Sequence, residues 1–186
     1  MNSWHRQNSC ATILDRTDIM NKEEMEQRVA RAEQLFMKGF NCAQSVVGAY
    51  ADLFGYSEQQ ALQLSAGFGG GIGRLRLTCG AACGMVVLAG MQCGSTEEND
   101  REGKSENYRV VQTLLQQFQN TFGSITCADL LQLKKDTPLS YVASERTEEY
   151  YKHRPCVNQV VAAARIFGDY LMKHHSTDST TSKRLS

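Results

Sequence analysis

The sequence predicts an all-α fold, a single compact bundle of about six or seven helices with a glycine-rich loop before a buried central helix. The chain has only two prolines in 186 residues, and its long windows are rich in Ala, Leu, Gln and Glu, which favour helix over strand. Apolar residues recur at helical spacing in these windows. We therefore expect one helical domain over residues 21–174, between a loose N-terminal arm (1–20) and a disordered tail (175–186), whose composition is polar and of low complexity.

The first three predicted helices each begin after a residue that can cap a helix. Asn21 precedes the first helix and Asn41 precedes a second, which Gly55 closes. Ser57 and Gln60 form a capping box for the third helix, which ends in a glycine-rich loop.

The glycine-rich loop leads directly to Cys79 and to the apolar run 81–91, which predicts a buried helix. Glycine gives the loop backbone conformations that other residues rarely adopt. No predicted strand precedes the loop, so its GxGGxG-like spacing does not indicate dinucleotide binding. We expect the loop to lie over the functional site through four glycines: Gly69, Gly70, Gly71 and Gly73.

The second half of the chain predicts a long amphipathic helix from about residue 102 to residue 121 and a short helix from Cys127. The segment 134–154 is polar and aperiodic, which predicts a surface excursion. Pro155 follows this segment, and proline is common at the start of a helix. A last helix begins at Cys156 and carries apolar residues at helical spacing.

Charge and cysteine content narrow the class of protein. Lys plus Arg and Asp plus Glu each total 20, and no basic cluster indicates a nucleic-acid partner. The longest apolar run is about half of the roughly 20 residues that a membrane span needs, and the start has no signal-peptide core. We therefore expect a cytoplasmic protein, in which seven cysteines indicate free thiols, metal ligands or redox pairs.

Four cysteines fall at predicted helix starts: Cys42, Cys79, Cys127 and Cys156. The unpaired N–H groups and the macrodipole of a helix start favour negative charge and lower a thiol pKa. If these helix starts converge, four thiolates match the ligand count of an iron–sulfur cluster or a zinc site, although the absence of a CxxC pair weakens zinc. The alternative is that buried cysteines serve as small apolar residues.

The remaining cysteines have several interpretations. Cys83 lies four residues after Cys79 on the same helix face, so it is a reserve ligand, a disulfide partner or a packing residue. Cys93 lies near the far end of the same predicted helix, where we expect it to be a packing or surface residue. Cys10 lies in the N-terminal arm without an evident role.

Three charged side chains near these cysteines are further candidates. Arg74 and Arg76 either offset the charge of an anionic cluster, bind an acidic substrate or remain solvated surface residues. His153, three residues before Cys156, is a candidate partner for its thiolate.

Residues from about 32 to 171 resemble the C_GCAxxG_C_C proteins, a family described as redox-active. The resemblance rests on the segments FNCAQSVV, AGFGGGIGR, TCGAACG, FGSITCADLL and RPCVNQVVAAA. It maps the family's cysteines onto the four helix-start cysteines. The domain also resembles the C-terminal part of split-Soret cytochromes c, which implies electron transfer and an iron–sulfur centre. The chain has no CxxCH site, so the resemblance does not extend to haem.

The favoured function is therefore electron transfer through a cysteine-ligated iron–sulfur cluster, with an unidentified redox partner protein. A thiol–disulfide oxidoreductase that uses a cysteine pair without metal is the alternative. The second alternative is a helical interaction or structural protein with inert cysteines. Whether the protein is an enzyme, and whether it forms a homo-oligomer, stay open at this point.

Overall fold

The structure, a computed structural model, describes the backbone of residues 20–181 and the side chains through residue 173. Within this range the chain forms eight α-helices and no β-strand, which confirms the all-α class. The helices are α1 (Lys22–Met37), α2 (Cys42–Gly48), α3 (Glu58–Ser65), α4 (Gly80–Cys93), α5 (Arg101–Phe122), α6 (Cys127–Leu130), α7 (Glu148–His153) and α8 (Cys156–Thr181).

The two predicted ends of the domain lie largely outside this range. The N-terminal arm lies outside the described residues except for Met20. Helix α8 continues to Thr181 and so extends into the segment 175–186 for which the sequence predicted disorder. Residues 182–186 are outside the described range.

Side-chain caps start the first helices at the predicted residues. The Asn21 side chain accepts a hydrogen bond from the N–H of Glu24 at 2.9 Å at the start of α1. Asn41 forms a complete capping box with Gln44 at the start of α2. Ser57 forms a capping box with Gln60 at the start of α3. These caps satisfy N–H groups that a helix start leaves unpaired.

The second predicted helix is divided in two. Helix α2 ends at Gly48, and a separate 3₁₀ turn, Ala51–Phe54, completes the segment before Gly55, whose φ is 81°. Glycine is a poor residue for a helix interior, so a break at residue 48 has a local cause.

Helix α4 is the buried centre of the bundle. Its side chains include the fully buried Met85 and Leu88, and it packs against α2, α5 and α8. A Cβ atom on Gly84 would lie 2.8 Å from the Cβ of Val46 in α2. Glycine at this position therefore allows α2 and α4 to pack at close range.

The segment 134–154, which the sequence predicts as an aperiodic surface excursion, contains a short helix in its last part. Helix α7 forms there because Thr147 accepts a hydrogen bond from the N–H of Tyr150 at 3.1 Å and acidic residues follow in the first turn. The hydroxyl of Tyr151 donates to the carbonyl of Phe36 at 3.3 Å. These contacts fold the segment back onto the end of α1.

Candidate functional site

Four helices begin at one pocket. Cys42, Cys127 and Cys156 are the first residues of α2, α6 and α8, and Cys79 is the residue immediately before α4. All four side chains are buried, and all four line a pocket of about 430 Å³. The structure therefore places the four sequence-predicted thiols on the wall of a single cavity.

Backbone hydrogen bonds hold the starts of α4 and α6 side by side. An isolated antiparallel bridge joins Thr78 to Thr126. The N–H groups of Cys79 and Cys127 donate across it, to the other segment, at 2.7 and 2.6 Å. Helix α6 has only four residues and would not be stable alone, so this pairing fixes the position of Cys127.

Gly80 lets the starts of α2 and α4 approach each other. A Cβ atom at residue 80 would lie 3.2 Å from the Cβ of Cys42 and 3.0 Å from the carbonyl oxygen of Phe68. These distances are shorter than an ordinary contact between carbon and its neighbours. Any larger residue at position 80 would push Cys42 away from Cys79.

The glycine loop forms one wall of the pocket. Gly70, Gly71 and Gly73 have φ values of 65°, 75° and 57°, a region that favours glycine. A Cβ on Gly71 would lie 2.6 Å from the Cβ of Cys127. Gly69 also lines the pocket. The four glycines therefore lie where the sequence predicted them, beside the cysteines.

The charged side chains on the pocket wall are all basic. Among the described residues, the lining contains no Asp, Glu or His. It contains four arginines: Arg74, Arg76, Arg146 and Arg154. Four positive charges beside four thiols favour thiolates or another anionic group in this pocket.

Arg74 and Arg76 are half-buried residues that line the pocket. The Arg74 guanidinium donates to the carbonyl of Ser140 at 2.8 Å and to the hydroxyl of Ser144 at 3.1 Å, which joins the glycine loop to the segment before α7. Arg76 donates to the carbonyl of Gly70 at 3.5 Å. Their charges therefore lie beside the cysteines, and their role there stays a prediction.

Cys42 and Cys156 lie close enough to shift the pKa of each other. The interaction with the Cys42 thiol lowers the pKa of Cys156 to about 7, with further lowering by Arg154 and Arg146. The interaction with Cys156, together with burial, raises the pKa of Cys42 well above its ordinary value. Cys156 is therefore the thiol most readily ionised at neutral pH.

The other thiols near the pocket do not follow the expectation for helix starts. Burial raises the pKa of Cys79 to about 12, although the N–H groups of Ala81 and Ala82 act in the opposite direction. Burial also raises the pKa of Cys127, against the effect of Arg76. The expected lowering thus fails for these thiols because desolvation of the thiolate exceeds the effect of the helix start.

The remaining candidates lie off the pocket wall. Cys83 is buried, its pKa is raised to about 11 by burial, and its thiol donates to the Thr78 carbonyl at 3.8 Å. Cys93 is also buried, and its thiol donates to the carbonyl of Ala89 at 3.3 Å, as expected of a packing residue. The role of Cys83 stays a prediction, and Cys10 lies outside the described residues.

His153 does not pair with Cys156. Its Nε2 atom contacts the carboxylate of Glu149 one turn earlier in α7, and both side chains are exposed. An aperiodic interpretation of residues 134–154 overlooks helix α7, which places His153 one turn after Glu149.

The donor set of the pocket has the chemistry of a site for a soft, anionic group, since it combines four thiols with four arginines. Within residues 20–173, no three Cys, His, Asp or Glu side chains lie close enough together to hold a single metal ion. The thiols as they stand are therefore not arranged around one ion, as the four sulfurs of a tetrahedral zinc site would be.

The sequence did not reveal several side chains of the site. Arg146 and Tyr150 come from the segment judged to be a surface excursion, and both line the pocket. Gln159 lies one turn after Cys156, lines the pocket and is only 4% exposed. The spacing of Gln159 from Cys156 was the one available signal, because residues three apart on a helix share a face.

A comparison with known protein families matches residues 40–170 to the family described as "Putative redox-active protein (C_GCAxxG_C_C)". The chain belongs to this family. The matched range contains the four pocket cysteines of this C_GCAxxG_C_C protein and the glycine loop. Comparisons with curated proteins and with solved structures found no match.

Over the described residues, no helix combines the length and apolar character of a membrane span.

Proposed function

We propose that this member of the C_GCAxxG_C_C family transfers electrons through an iron–sulfur cluster held by Cys42, Cys79, Cys127 and Cys156. One observation carries the proposal: four buried thiols at helix starts share a pocket with four arginines and no carboxylate. Four cysteines are the usual protein ligands of both two-iron and four-iron clusters. When bound, such a group supplies one-electron oxidation and reduction.

The residues of the chain would contribute charge compensation and orientation. Three of the four thiols have raised pKa values, so their ionisation requires cations nearby. Arg76 already acts against the rise that burial causes in the pKa of Cys127. The thiols belong to four different helices, so the packing of the bundle fixes their separation. Gly71 leaves the space that the Cys127 side chain occupies.

The partner and the compartment follow from the same proposal. An electron carrier needs a redox partner protein. Six cysteines of the described residues are free thiols. We infer that the protein works in a reducing compartment such as the cytoplasm.

Metal analysis of matched variants tests the cluster. The protein is purified anaerobically, reconstituted with iron and sulfide, and assayed for both elements and for charge-transfer absorbance. Single replacements of Cys79 or Cys127 by Ser should lower the iron content strongly. C93S is the matched control, because Cys93 is equally buried but does not line the pocket. A wild-type protein without iron, or equal iron in C127S and C93S, would refute the proposal.

A second candidate function is thiol–disulfide exchange, which the lowered pKa of Cys156 beside Cys42 favours. In this reaction the two thiols give two electrons and two protons to a disulfide of the substrate. A Cys42–Cys156 disulfide forms, and the substrate disulfide becomes two thiols. The candidate requires a protein without iron in which a C42S or C156S replacement abolishes the reversible loss of two titratable thiols on oxidation. If neither iron nor such a disulfide is found, the cysteines are inert and the protein is structural.

A further inference from the structure

Arg146 has a buried nitrogen without a hydrogen-bond partner. Its Nη1 atom is buried and makes no hydrogen bond with any described residue. An unsatisfied buried donor is costly, more so on a charged group. Arg146 lines the same pocket as the four cysteines. A ligand with an acceptor atom in the pocket would satisfy this nitrogen.

The guanidinium of Arg146 is held in place by groups that leave this nitrogen unused. Its Nη2 atom donates to the carbonyl of Phe40 at 3.2 Å. The guanidinium carbon lies 4.9 Å from the centre of the Phe36 ring and 4.5 Å from that of the Tyr150 ring. The ring contacts are cation–π interactions. Arg146 is therefore ordered before any ligand binds, which lowers the entropic cost of binding.

A second arginine approaches the same ring. The guanidinium carbon of Arg154 lies 5.1 Å from the centre of the Tyr150 ring. Over the described side chains, neither Arg154 nor Arg146 forms an ion pair with a carboxylate. Both arginines stabilise the Cys156 thiolate, but one thiolate does not neutralise two cations. An oxyanion bound in the pocket would supply a further negative charge.

The pocket has room for such an anion. Its volume of about 430 Å³ falls within the roughly 300–1,000 Å³ of small-molecule sites. Tyr141 and Ser144 line the same pocket. Guanidinium groups recognise planar and tetrahedral oxyanions through paired hydrogen bonds.

We propose that Arg146 and Arg154 form a binding site for a small oxyanion, such as phosphate, sulfate or the carboxylate of a small substrate. The site goes beyond the proposed electron transfer, because it holds a ligand next to the thiols and exists with or without a cluster. Arg76 acts on Cys127, whose pKa it lowers against the effect of burial. Arg146 and Arg154 bind the anion.

Calorimetric titration of the full chain with inorganic phosphate, sulfate and acetate at constant ionic strength tests the site. The metal-free protein should bind at least one of these anions, and the strongest binder tells a tetrahedral oxyanion from a carboxylate. R146A should weaken binding about 10- to 100-fold, as expected for a lost charge-assisted hydrogen bond. R146K, which keeps the charge, should weaken it less. R31A is the matched control, since Arg31 pairs with Glu58 and does not line the pocket.

Three results would overturn the oxyanion site. The first is that wild-type protein binds none of the three anions, and the second is that R146A and R31A bind with equal affinity. The third is binding by metal-free protein that disappears after reconstitution with iron, because the arginines would then compensate the cluster. R154A provides a second variant if R146A does not fold, as judged by circular dichroism. A protein that binds phosphate but never takes up iron keeps this site and refutes only the proposed electron transfer.

Discussion

Gly71 provides a direct test of how the glycine loop positions a pocket thiol. In the Gly71→Ala variant the new Cβ would meet the Cβ of Cys127 at 2.6 Å and the Cα of Arg76 at 3.0 Å, in a backbone with φ of 75°. The left-handed backbone costs a non-glycine residue about 1–2 kcal/mol. Overpacking against these neighbours adds about 1–3 kcal/mol. We expect G71A to lower the free energy of unfolding by about 2–5 kcal/mol, with Cys127 displaced.

The matched control is Gly73→Ala in the same loop. Gly73 has a φ of 57°, but a Cβ there would meet nothing within 4 Å. G73A should therefore cost only the backbone term, about 1–2 kcal/mol. Urea unfolding of the metal-free proteins measures the difference, and the iron content after reconstitution should fall in G71A and not in G73A. Equal unfolding midpoints for the two variants would contradict the close contact between the loop and Cys127.

Two further predictions concern the pocket chemistry. Gln159→Leu should lower the reduction potential of the reconstituted protein by about 20–65 mV in a redox titration, because an amide hydrogen bond of about 0.5–1.5 kcal/mol stabilises the more negative reduced state. The control is Q92L, which changes a buried Gln outside the pocket and should leave the potential unchanged. Equal shifts in the two variants would show a general packing effect. In metal-free protein, the rate of alkylation of Cys156 should have its midpoint near pH 7, since only the thiolate reacts and the thiolate fraction decreases when the pH is below the pKa. C42A removes the neighbouring thiol that lowers this pKa, so the midpoint should move to higher pH. A midpoint that C42A leaves unchanged would exclude the interaction between the two thiols.

The helix starts could be predicted from the sequence because their causes are local. Asn41 and Ser57 cap helices by hydrogen bonds within three residues of themselves, and these bonds need no tertiary contact. The placement of Cys42 after Asn41, and of Cys156 after Pro155, follows from the same local chemistry. The convergence of the cysteines could be expected only from their repeated position at helix starts.

The rest of the site depends on tertiary contacts that no local pattern encodes. Arg146 enters the pocket because its chain segment folds back onto Phe36. The pKa of Cys79 is raised by burial, which depends on how α4 packs in the whole bundle. Helix α7 was missed although Thr147 and the two following glutamates carry a helix-start pattern. The polar composition of the surrounding segment obscured that pattern.

The distribution of the four cysteines couples the proposed cluster to the stability of the whole fold. The pocket takes one wall from each of α2, α4, α6 and α8, and an unfolded chain would not hold four such distant thiols around one group. A group that binds only the folded state stabilises it by an amount that grows with its affinity. Reconstitution should therefore raise the midpoint of thermal unfolding of the entire domain.

The same linkage applies to a core substitution far from the pocket, such as Phe118→Ala in the buried face of α5. This substitution should weaken iron retention because it increases the population of unfolded chain, which does not hold the group. Iron retention at a local CxxC site would not depend on the stability of the whole bundle in this way. If F118A loses iron in proportion to its loss of folding stability, the site is formed by the bundle and not by a single loop.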